Sequence, residues 1–474
     1  MTTECNQESL VFQSLGRREV VGRFDGGKIT SDAGALLLRE TERITGVLRA
    51  FADCFTDHRD PDLIEHTVPE LVAQRVYGLC LGYDDLNDHD ALRHDPLLAV
   101  LVGKQDPTGE DRKRQRDKGK ALAGKSTLNR LELTPVRADA DSRYKKITVN
   151  RRGVQDFFVE SFLQTQTTPP PRIILDLDAT DIPLHGHQAG RFFHGYYDHY
   201  CYLPLYIFCG DHLLCAKLRP SNLDASTGAL KEVQRIVAAI RERFPTTPIL
   251  LRADSGFCRE PIMAWCEKNQ VDYLFGLAKN QRLLREIEGE LAQAKSIFGE
   301  TGTPARVFKD FRYATLNTWS CERRVIAKAE HLDKGSNPRF VVTSLPSDES
   351  PAQATYEQTY CARGDMENRI KETQLGLFAD RTSAATMRAN ELRLWFSSAA
   401  YVLMTALRRL GLQGTELAQA QCDTIRLKLL KIGARIRVTV RKVWVSLAES
   451  FPGQDLFRRI LQNLIRRSPI PLRC

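Results

Sequence analysis

The sequence lacks the features that mark secreted, disulfide-stapled and membrane-spanning proteins. Its twelve cysteines are scattered without a C-x-x-C pair, which predicts reduced thiols in a cytoplasm. The opening stretch, MTTECNQESL, lacks the charged-then-apolar order of a signal peptide. The longest uncharged apolar stretch near the C-terminus, Leu394 to Leu407, is shorter than the roughly 20 residues that a bilayer requires. We therefore expect a cytoplasmic protein with no membrane span.

A nucleotide cofactor is suggested by one short stretch but excluded by what precedes it. GKALAGKST, residues 119–127, fits the phosphate-loop pattern G-x-x-x-x-G-K-[ST]. Such a loop needs a buried strand before it and a helix after it. The preceding residues, EDRKRQRDK, contain no apolar strand, whereas STLNRLEL is typical of a helix start with Ser126 or Thr127 as N-cap. We predict a basic solvated linker that runs into a capped helix, and no nucleotide cofactor.

The composition is that of a soluble globular protein with an excess of positive charge. The 474 residues are 42% hydrophobic and 27% charged, which is ordinary for a chain of two to four domains. The formal net charge is +9, and residues 423–474 hold twelve Lys or Arg against three Asp or Glu. A basic region of this kind suits a polyanion, although it can also be merely solvated. Nucleic acid is the first expectation for the partner.

A change of pattern follows three consecutive prolines. Pro169 to Pro171, in QTQTTPPPR, cannot belong to a helix and predict a domain boundary. After them, IILDLDAT is typical of a strand, and CYLPLYIFCGDHLLCAKLRPS of two strands joined at Gly210 and Asp211. A capped amphipathic helix, a buried strand ending in LRAD, a second helix and a fifth strand, DYLFGLAKN, come next. The predicted order is β-β-β-α-β-α-β.

Carboxylates lie in two of these predicted core strands. Asp176 and Asp178 are two residues apart and so face the same side of the sheet, and Asp254 ends another buried strand. An unpaired buried charge costs several kcal/mol unless a cation or donor compensates it. Converging hard oxygen ligands are what Mg²⁺ or Mn²⁺ requires, and phosphoryl transfer between two metals needs a third carboxylate. The pattern indicates a divalent-metal site.

A candidate third acid lies in YCARGDMENRIKETQ. If this stretch is an α-helix, the following residues share one face because they are three or four positions apart: Tyr360, Arg363, Glu367, Lys371 and Gln374. That face combines a carboxylate with cations suited to phosphate. An exposed helix face with Arg–Glu–Lys pairing is an equally good interpretation of the spacing alone.

The chain resembles bacterial insertion-sequence transposases of the DDE class. The motifs LDLDATDIPLHGHQAGRFFHGYYDHY, LRADSGFCRE and YCARGDMENRIKETQLGL are most similar to insertion-sequence family thirteen-eighty. The resemblance extends over nearly the whole chain, including DHRDPDLIEHTVPELVAQRVYGL and KSTLNRLE. It implies an α/β fold: an RNase H-like mixed sheet with a β insertion, flanked by a mainly helical N-terminal region and a basic C-terminal region.

The resemblance also implies the roles of individual acids. Asp178, in D-A-T, matches the first metal ligand of the family, Asp254 the second and Glu367 the third, and together they would hold two Mg²⁺ or Mn²⁺ ions. Asp176 and Asp181 are rivals for the first position, since the sequence does not say which carboxylate faces the metals.

A phosphate-binding signature accompanies the third acid. The pattern Y-x-x-R-x-x-x-E-x-x-x-x-x-x-K of similar enzymes is met at Tyr360, Arg363 and Glu367, but Gln374 occupies the lysine position. Lys371 lies one turn earlier and is the candidate substitute. We expect Arg363 and Lys371 to bind DNA phosphates and Tyr360 to donate a hydrogen bond or to stack.

The stretch between the fifth strand and the acidic helix is expected to contact DNA as well. The alternating runs ARVFKDFRYA, ERRVIAKA and RFVVTSL predict a small antiparallel unit. Similar transposases carry a β insertion here that touches the transposon end. Trp319 would stack on an unpaired base in that case, the alternative being that it fills a core.

Five regions follow from the resemblance. They are a helical DNA-binding and assembly region at 1–165, the first part of the catalytic core at 166–280, the β insertion at 281–355, the second part of the core at 356–412, and the basic region at 413–474.

The resulting hypothesis is a metal-dependent DNA transposase, an enzyme that binds the inverted repeats of its own element and performs cleavage and strand transfer. Its partners would be double-stranded repeat and target DNA, with TTAA as the implied target, and further copies of itself when two ends are synapsed. It would act at the bacterial nucleoid. The alternatives are an RNase H-like structure-selective nuclease and a catalytically inactive DNA-binding repressor.

Overall fold

The structure is a computed structural model that describes residues 9–467. Most of the opening stretch that lacks signal-peptide character, and the last residues of the basic C-terminal region, lie outside the described residues. The chain divides into two compact units, one formed by residues 1–149 with 399–474 and the other by residues 150–398. Within residues 9–467, no helix combines the length and apolarity needed to cross a membrane.

The N-terminal part of the first unit is mainly helical. Its elements are β1 (Leu10–Leu15), β2 (Arg18–Gly22), β3 (Lys28–Thr30), α1 (Leu36–Thr45), α2 (Val47–Ala52), β4 (Phe55–Asp57), α3 (Val68–Leu81), α4 (His89–Leu92), α5 (Pro96–Val102), α6 (Lys125–Glu132) and β5 (Ile147–Val149). Helix α3 shows why. The Thr67 side chain accepts from the Glu70 N–H, the Glu70 carboxylate accepts from the Thr67 N–H, and Gly82 ends the helix at φ 95°.

The phosphate-loop stretch takes the linker-and-helix form that its surroundings predict. A 3₁₀ helix, Gln115–Asp117, precedes it, and α6 follows. The predicted N-cap at Ser126 or Thr127 is wrong by two or three residues. Gly124 is the N-cap, because its carbonyl already accepts from the Thr127 N–H at 3.0 Å.

The second unit contains the predicted strands and helices in the predicted order, with additions. Its elements are α7 (Arg151–Leu163), β6 (Ile173–Ala179), β7 (Ile182–Pro183), β8 (Phe192–His194), β9 (His199–Tyr202), β10 (Leu205–Cys209), β11 (His212–Lys217), α8 (Ala229–Arg243), β12 (Ile249–Ala253), α9 (Glu260–Lys268), β13 (Asp272–Leu277), α10 (Gln281–Glu286), α11 (Glu288–Thr301), β14 (Ala305–Tyr313), β15 (Arg323–Leu332), β16 (Gly335–Ser336), β17 (Arg339–Thr343), α12 (Ala352–Ala354), α13 (Gly364–Lys371) and α14 (Met387–Leu410), which runs past the end of the unit. The additions within the predicted series are β7, β8 and β9, which form a small sheet of their own.

One large mixed sheet organises this unit. Its nine strands follow the order β11-β10-β6-β12-β13-β17-β15-β14, with β16 beside β15. Strand β6 is parallel to β12, and β12 is parallel to β13, whereas the other pairs are antiparallel. The sheet is therefore parallel at its centre and antiparallel towards both edges.

The alternation of side chains along β6 separates a core face from a polar face. Ile173, Leu175 and Leu177 are at most 1% exposed and belong to one large apolar cluster with side chains of α8 and α9. Each fully buried leucine of this kind stabilises the fold by about 1.5–3 kcal/mol. Because neighbouring residues of a strand face opposite sides, Asp176 and Asp178 are held on the other face of the sheet.

The predicted antiparallel β unit is present, but it is not a separate sheet. Strands β14, β15 and β17 pair with one another as the alternating runs predict. Strand β17 also pairs with β13 through Phe275 and Val342, so the three strands extend the central sheet. Ion pairs join them to their neighbours, as between the buried Arg323 of β15 and the partly exposed Glu260 and Glu267 of α9, both at 2.6 Å. The functional division of the chain into five regions stays a prediction.

The C-terminal part of the first unit forms a sheet with a strand from its beginning. Its elements are α15 (Cys422–Ile425), β18 (Ala434–Val438), β19 (Val443–Leu447) and α16 (Gln454–Arg466). Strand β18 lies between β19 and β3, and both pairs are antiparallel.

Candidate active site

Two adjacent parallel strands bring two of the predicted acids side by side. Ala253 of β12 is opposite Leu177 of β6, so that Asp178 and Asp254 are the next residues along the two strands. Asp254 ends β12 and begins a 3₁₀ helix, Ser255–Phe257, where its carboxylate accepts from the Gly256 N–H at 2.9 Å. The expectation that neighbouring strands place these acids at one position of the sheet is consistent with this register.

The segment that carries the third acid is helical but is not one regular α-helix. A π-helical turn, Thr355–Tyr360, leads through a 3₁₀ turn, Cys361–Arg363, into α13, and a second π-helical turn, Glu372–Gly376, follows. The stretch is therefore helical as predicted, but only Gly364–Lys371 of it is α-helix. Within the first π-helical turn, the Thr359 carbonyl accepts from the Arg252 guanidinium at 2.6 Å.

Arg363 lies between the first and the third candidate acid. Its guanidinium nitrogens are 3.6 Å from an Asp178 oxygen and 3.5 Å from a Glu367 oxygen. Both distances exceed the 2.7–2.9 Å typical of a charge-assisted hydrogen bond, so the guanidinium is shared between two carboxylates rather than bound by one. Burial acts against its charge, but attraction from Asp178, Tyr360, Asp254 and Glu367 raises the pKa of Arg363 above its ordinary value.

Asp178 carries the electrostatic mark of an incompletely compensated buried carboxylate. Its pKa is raised from 3.8 to about 6, chiefly by burial and also by the charges of Asp254 and Glu367, against the lowering effect of Arg363 and of the Ala179 N–H. Only 14% of the Asp178 side chain is exposed. The charges of all three candidate acids therefore act on one another, and a single arginine is not enough to neutralise them.

The rivals for the first position have partners of their own. Asp176 receives two hydrogen bonds from Arg252, at 2.6 and 2.7 Å, and both side chains are buried. Asp181 lies 2.7 Å from the His199 ring nitrogen. Asp176 and Asp181 are thus occupied by these contacts, whereas Asp178 lies beside Arg363 and is subject to the charges of Asp254 and Glu367.

Tyr360 reaches the same place because a glycine lies opposite it. A Cβ added to Gly276 of β13 would lie 2.6 Å from the Tyr360 hydroxyl oxygen and 2.9 Å from the Ser255 nitrogen. Only glycine admits the phenol at this point of the strand. Burial raises the pKa of Tyr360, so the hydroxyl keeps its proton and remains a donor.

The other residues predicted to contact DNA, Lys371 and Trp319, lie apart from this cluster. Lys371 is exposed. The centre of the Trp319 ring lies 5.8 Å from the centre of the Tyr313 ring and 5.4 Å from the Arg323 guanidinium. Gln374, in the place of the family lysine, points towards the Asp181 carbonyl with a separation of 3.4 Å. The structure thus brings together Asp178, Asp254, Glu367, Tyr360 and Arg363, whereas Lys371 and Trp319 make no hydrogen bond or ion pair with the three acids among the described residues.

Sequence reasoning missed Arg252 and Gly276. Both had a detectable sign: Arg252 is a cation within a buried strand, and Gly276 interrupts the apolar strand DYLFGLAKN. A buried cation in one predicted strand is expected to pair with a buried acid in its neighbour, but this sign does not say whether Asp176 or Asp178 is the partner of Arg252.

The donor chemistry suits a divalent cation, although the side chains are not gathered around one. Within residues 9–467, no group of three or more His, Cys, Asp or Glu side chains has the spacing that would hold a metal ion. The carboxylates of Asp178 and Glu367 contact Arg363 instead. A buried carboxylate with a pKa near 6, crowded by two others, is nevertheless the kind of site that a divalent cation stabilises.

The fold and the cluster define a mixed α/β protein with a carboxylate-rich centre on a large sheet. The chain belongs to the family described as "Transposase DDE domain group 1", whose model matches residues 12–469. This family implies a DNA-cleaving enzyme and DNA as its partner, so the expectation of a DDE transposase is confirmed. Insertion-sequence family thirteen-eighty and bacterial origin stay predictions.

Other comparisons add little. No curated protein matches the chain. Among solved structures, the cryo-EM structure of a piggyBac transposase synaptic complex with hairpin DNA is 12% identical, with a TM-score of 0.39, and the match covers 94% of this chain and 87% of that one. A likeness of this size is too low to bear on fold or function.

Proposed function

We propose that the protein binds the terminal inverted repeats of its own element and uses Asp178, Asp254 and Glu367 to cleave the DNA strand and transfer it. The observation that carries the proposal is the arrangement of the three acids: Asp178 and Asp254 are the next residues along two paired strands, and Arg363 lies 3.6 Å from Asp178 and 3.5 Å from Glu367. Burial and the charges of Asp254 and Glu367 accordingly raise the pKa of Asp178 to about 6. Buried acids that repel one another lower the stability of the fold unless they hold a cation. Such strain is typical of functional sites.

The strand arrangement supports an RNase H-like catalytic core. The predicted series β6, β10, β11, α8, β12, α9 and β13 follows the chain, and the sheet order β11-β10-β6-β12-β13 places the Asp178 strand beside the Asp254 strand. The third acid comes from a later helical segment, as the resemblance implies. A core of this kind separates the acids widely in sequence and gathers them on one side of a sheet.

Two Mg²⁺ or Mn²⁺ ions are the proposed cofactors, held by the carboxylates of Asp178, Asp254 and Glu367. The chemistry that such ions supply is activation of water, and later of a 3′-hydroxyl, with stabilisation of the leaving 3′-oxygen. The three carboxylates carry enough negative charge to bind divalent cations when the Arg363 guanidinium binds a DNA phosphate instead of Asp178 and Glu367.

The neighbouring side chains would hold the DNA strand. Arg363 presents a planar pair of donors suited to a phosphate, and it lies within 3.6 Å of Asp178 and Glu367. Tyr360, with its proton retained, donates a hydrogen bond beside Asp254. Lys371, exposed one turn beyond Glu367, would contact a more distant phosphate, and Trp319 would stack on an unpaired base.

The test is cleavage of a labelled duplex that carries the terminal repeats found in the DNA flanking the gene. We expect Asp178→Asn, Asp254→Asn and Glu367→Gln each to reduce cleavage by at least ~10³-fold, about 4 kcal/mol of transition-state stabilisation. Repeat binding in EDTA should persist in each variant, because the acids contact ions rather than bases.

Two matched variants sharpen this test. Asp365→Asn changes an exposed acid two residues from Glu367, and Asp181→Asn changes the rival acid that pairs with His199. Both should retain cleavage. Loss of cleavage in Asp181→Asn together with retained cleavage in Asp178→Asn would move the first-acid role from Asp178 to Asp181. Joined products in the wild type distinguish a transposase from a structure-selective nuclease, which cuts without joining ends.

Assembly and location follow from the same proposal. Two ends must be held together for transfer, so we propose a homo-oligomer that synapses them, at least a dimer, acting on double-stranded target DNA in the bacterial cytoplasm at the nucleoid. A TTAA target is the implied preference.

A further inference from the structure

The three-stranded sheet of β3, β18 and β19 has an apolar inner face. Ala434 and Ile436 of β18 are buried in one apolar cluster with Ala33 and Leu97. Val445 of β19, opposite Ile436, packs against the same cluster. Because side chains alternate along a strand, the residues between them are directed to the outer face of the sheet.

That outer face is basic and carries one exposed tryptophan. Arg435 and Arg437 of β18 are both exposed, and Arg437 is opposite Trp444 of β19. The Trp444 ring, 47% exposed, lies 5.7 Å from the Arg437 guanidinium and 5.2 Å from the Lys442 ammonium group. A half-exposed indole held between two cations offers a flat surface surrounded by phosphate-binding groups.

No negative charge within the hairpin balances these cations. Residues 431–448 contain five Lys or Arg and no Asp or Glu. Lys431 forms an ion pair with Asp32, but in the described part of the chain the other four, Arg435, Arg437, Arg441 and Lys442, take part in no ion pair. Like charges gathered on one small surface repel one another, and a polyanion is the partner that offsets the repulsion.

We propose that the outer face of this sheet, formed by Arg435, Arg437, Lys442 and Trp444 with Arg441 at the hairpin turn, binds the backbone of double-stranded DNA. The proposal rests on the proposed function, since it names a surface by which the transposase would hold its substrate. The cations bind phosphates and Trp444 packs against the sugar or groove surface, so the face positions DNA without reading its sequence.

A negatively charged lipid surface is the other partner that basic and aromatic residues can fit. Val440, at the tip of the hairpin, is fully exposed and would suit such a surface. However, Arg435 and Arg437 extend the positive charge along the strand away from the tip, where an inserted tip would leave them out of reach. A row of cations along a strand fits the length of a duplex better than the plane of a bilayer.

The test uses the full-length protein in EDTA, where no cleavage is expected, and a fluorescent random-sequence duplex. Arg435→Glu with Arg437→Glu should weaken binding at least ~10-fold and reduce the slope of log affinity against log salt by about 2, because each phosphate contact contributes roughly 0.9. Trp444→Ala should weaken binding ~3–10-fold with little change of slope, since stacking or packing releases no counterions.

The matched control is Lys231→Glu with Arg243→Glu, which changes two exposed cations of α8 and shifts the net charge by the same amount. It should leave the affinity within ~2-fold of wild type. If the charge-reversed hairpin alters the circular dichroism spectrum, Arg435→Ala with Arg437→Ala decides the matter by the same loss of salt slope.

Three results would overturn the proposal: wild-type affinity and slope in the hairpin variant, an equal loss in the α8 control, or tighter binding to phosphatidylserine vesicles than to DNA at the same salt. The outcome is independent of cleavage. If the hairpin variant binds normally while the Asp178, Asp254 and Glu367 variants lose cleavage, only this surface is refuted. If the surface binds DNA while those variants cleave normally, only the proposed catalytic role is refuted.

Discussion

Asp176 and Asp178 lie two residues apart on the same strand and the same side of the sheet, yet they have opposite surroundings. Asp176 receives both of its hydrogen bonds from one buried arginine, Arg252, at 2.6 and 2.7 Å. Asp178 accepts one hydrogen bond from the Ala179 N–H at 2.8 Å, but its cation partner, Arg363, is more distant at 3.6 Å, and the charges of two further acids act on it. The comparison shows that one carboxylate has a cation within hydrogen-bond distance and the other does not among the described residues, which supports the proposed role of Asp178.

The difference extends to the cations. Arg252 also donates to the Thr359 carbonyl, so it ties the sheet to the helical segment that carries Glu367. Arg363 is shared between two acids and belongs firmly to neither. We infer that the Asp176–Arg252 pair fixes the geometry of the site, whereas Arg363 remains able to turn towards a phosphate.

The largest expected effect, and the strongest test of this comparison, is the loss of stability in Asp176→Ala. Asp176→Ala removes the partner of a buried arginine, and an uncompensated buried charge of this kind costs about 3–5 kcal/mol. For a unit of this size, that loss lowers the unfolding midpoint by about 6–15 °C. Thermal unfolding followed by circular dichroism measures it, with Asp365→Ala as the exposed control. A midpoint unchanged by Asp176→Ala would show that the pair does not hold the site together.

Asp178→Asn is expected to have a smaller effect of opposite sign: without metal, it should raise the stability of the fold. Its folded-state pKa of about 6 lies above the ordinary 3.8, so the folded protein favours the protonated acid and loses stability as pH rises through 6. Asp178→Asn removes that loss. In EDTA the variant should match the wild type near pH 4 and exceed it above pH 7 by on the order of 3 kcal/mol, since a pKa raised from 3.8 to about 6 disfavours the ionised acid by about 1.4 kcal/mol for each pH unit.

Thermal midpoints of the two proteins between pH 4 and 8 measure this difference. If the variant is less stable than the wild type at pH 8, the Asp178 carboxylate is compensated in the folded state, and the contrast with Asp176 is lost.

The smallest effect concerns the exposed cation that follows the third acid. Lys371→Ala should weaken repeat binding by a few-fold and reduce the salt slope by about 0.9, as expected for one phosphate contact. Cleavage at saturating DNA should be unchanged, because Lys371 makes no ion pair with the three acids in the described residues. Fluorescence anisotropy at several salt concentrations checks this, and an unaltered slope would remove Lys371 from the DNA contacts.

The sequence predicts the parts of the site that depend on local pattern. Alternating apolar residues place β6 and its acids, and Gly210 places the turn between β10 and β11, as observed. Pairing between distant residues is not a local property. The pattern therefore does not reveal that Arg252 neutralises Asp176 or that the Phe275 strand joins the Val342 strand in one sheet.

The irregular helix was unpredictable for a related reason. The spacing of Tyr360, Arg363 and Glu367 fits a regular α-helix, whereas the structure has a π-helical turn before Arg363, in which Arg252 donates to the Thr359 carbonyl. Side chains from elsewhere in the fold decide such local departures.

The most direct test of the account is to count the Mn²⁺ ions bound to the protein on repeat DNA, by electron paramagnetic resonance titration. The account predicts two ions per chain in the wild type and fewer in Asp178→Asn, Asp254→Asn and Glu367→Gln, with Asp181→Asn unchanged. Undiminished binding in all three variants would contradict it.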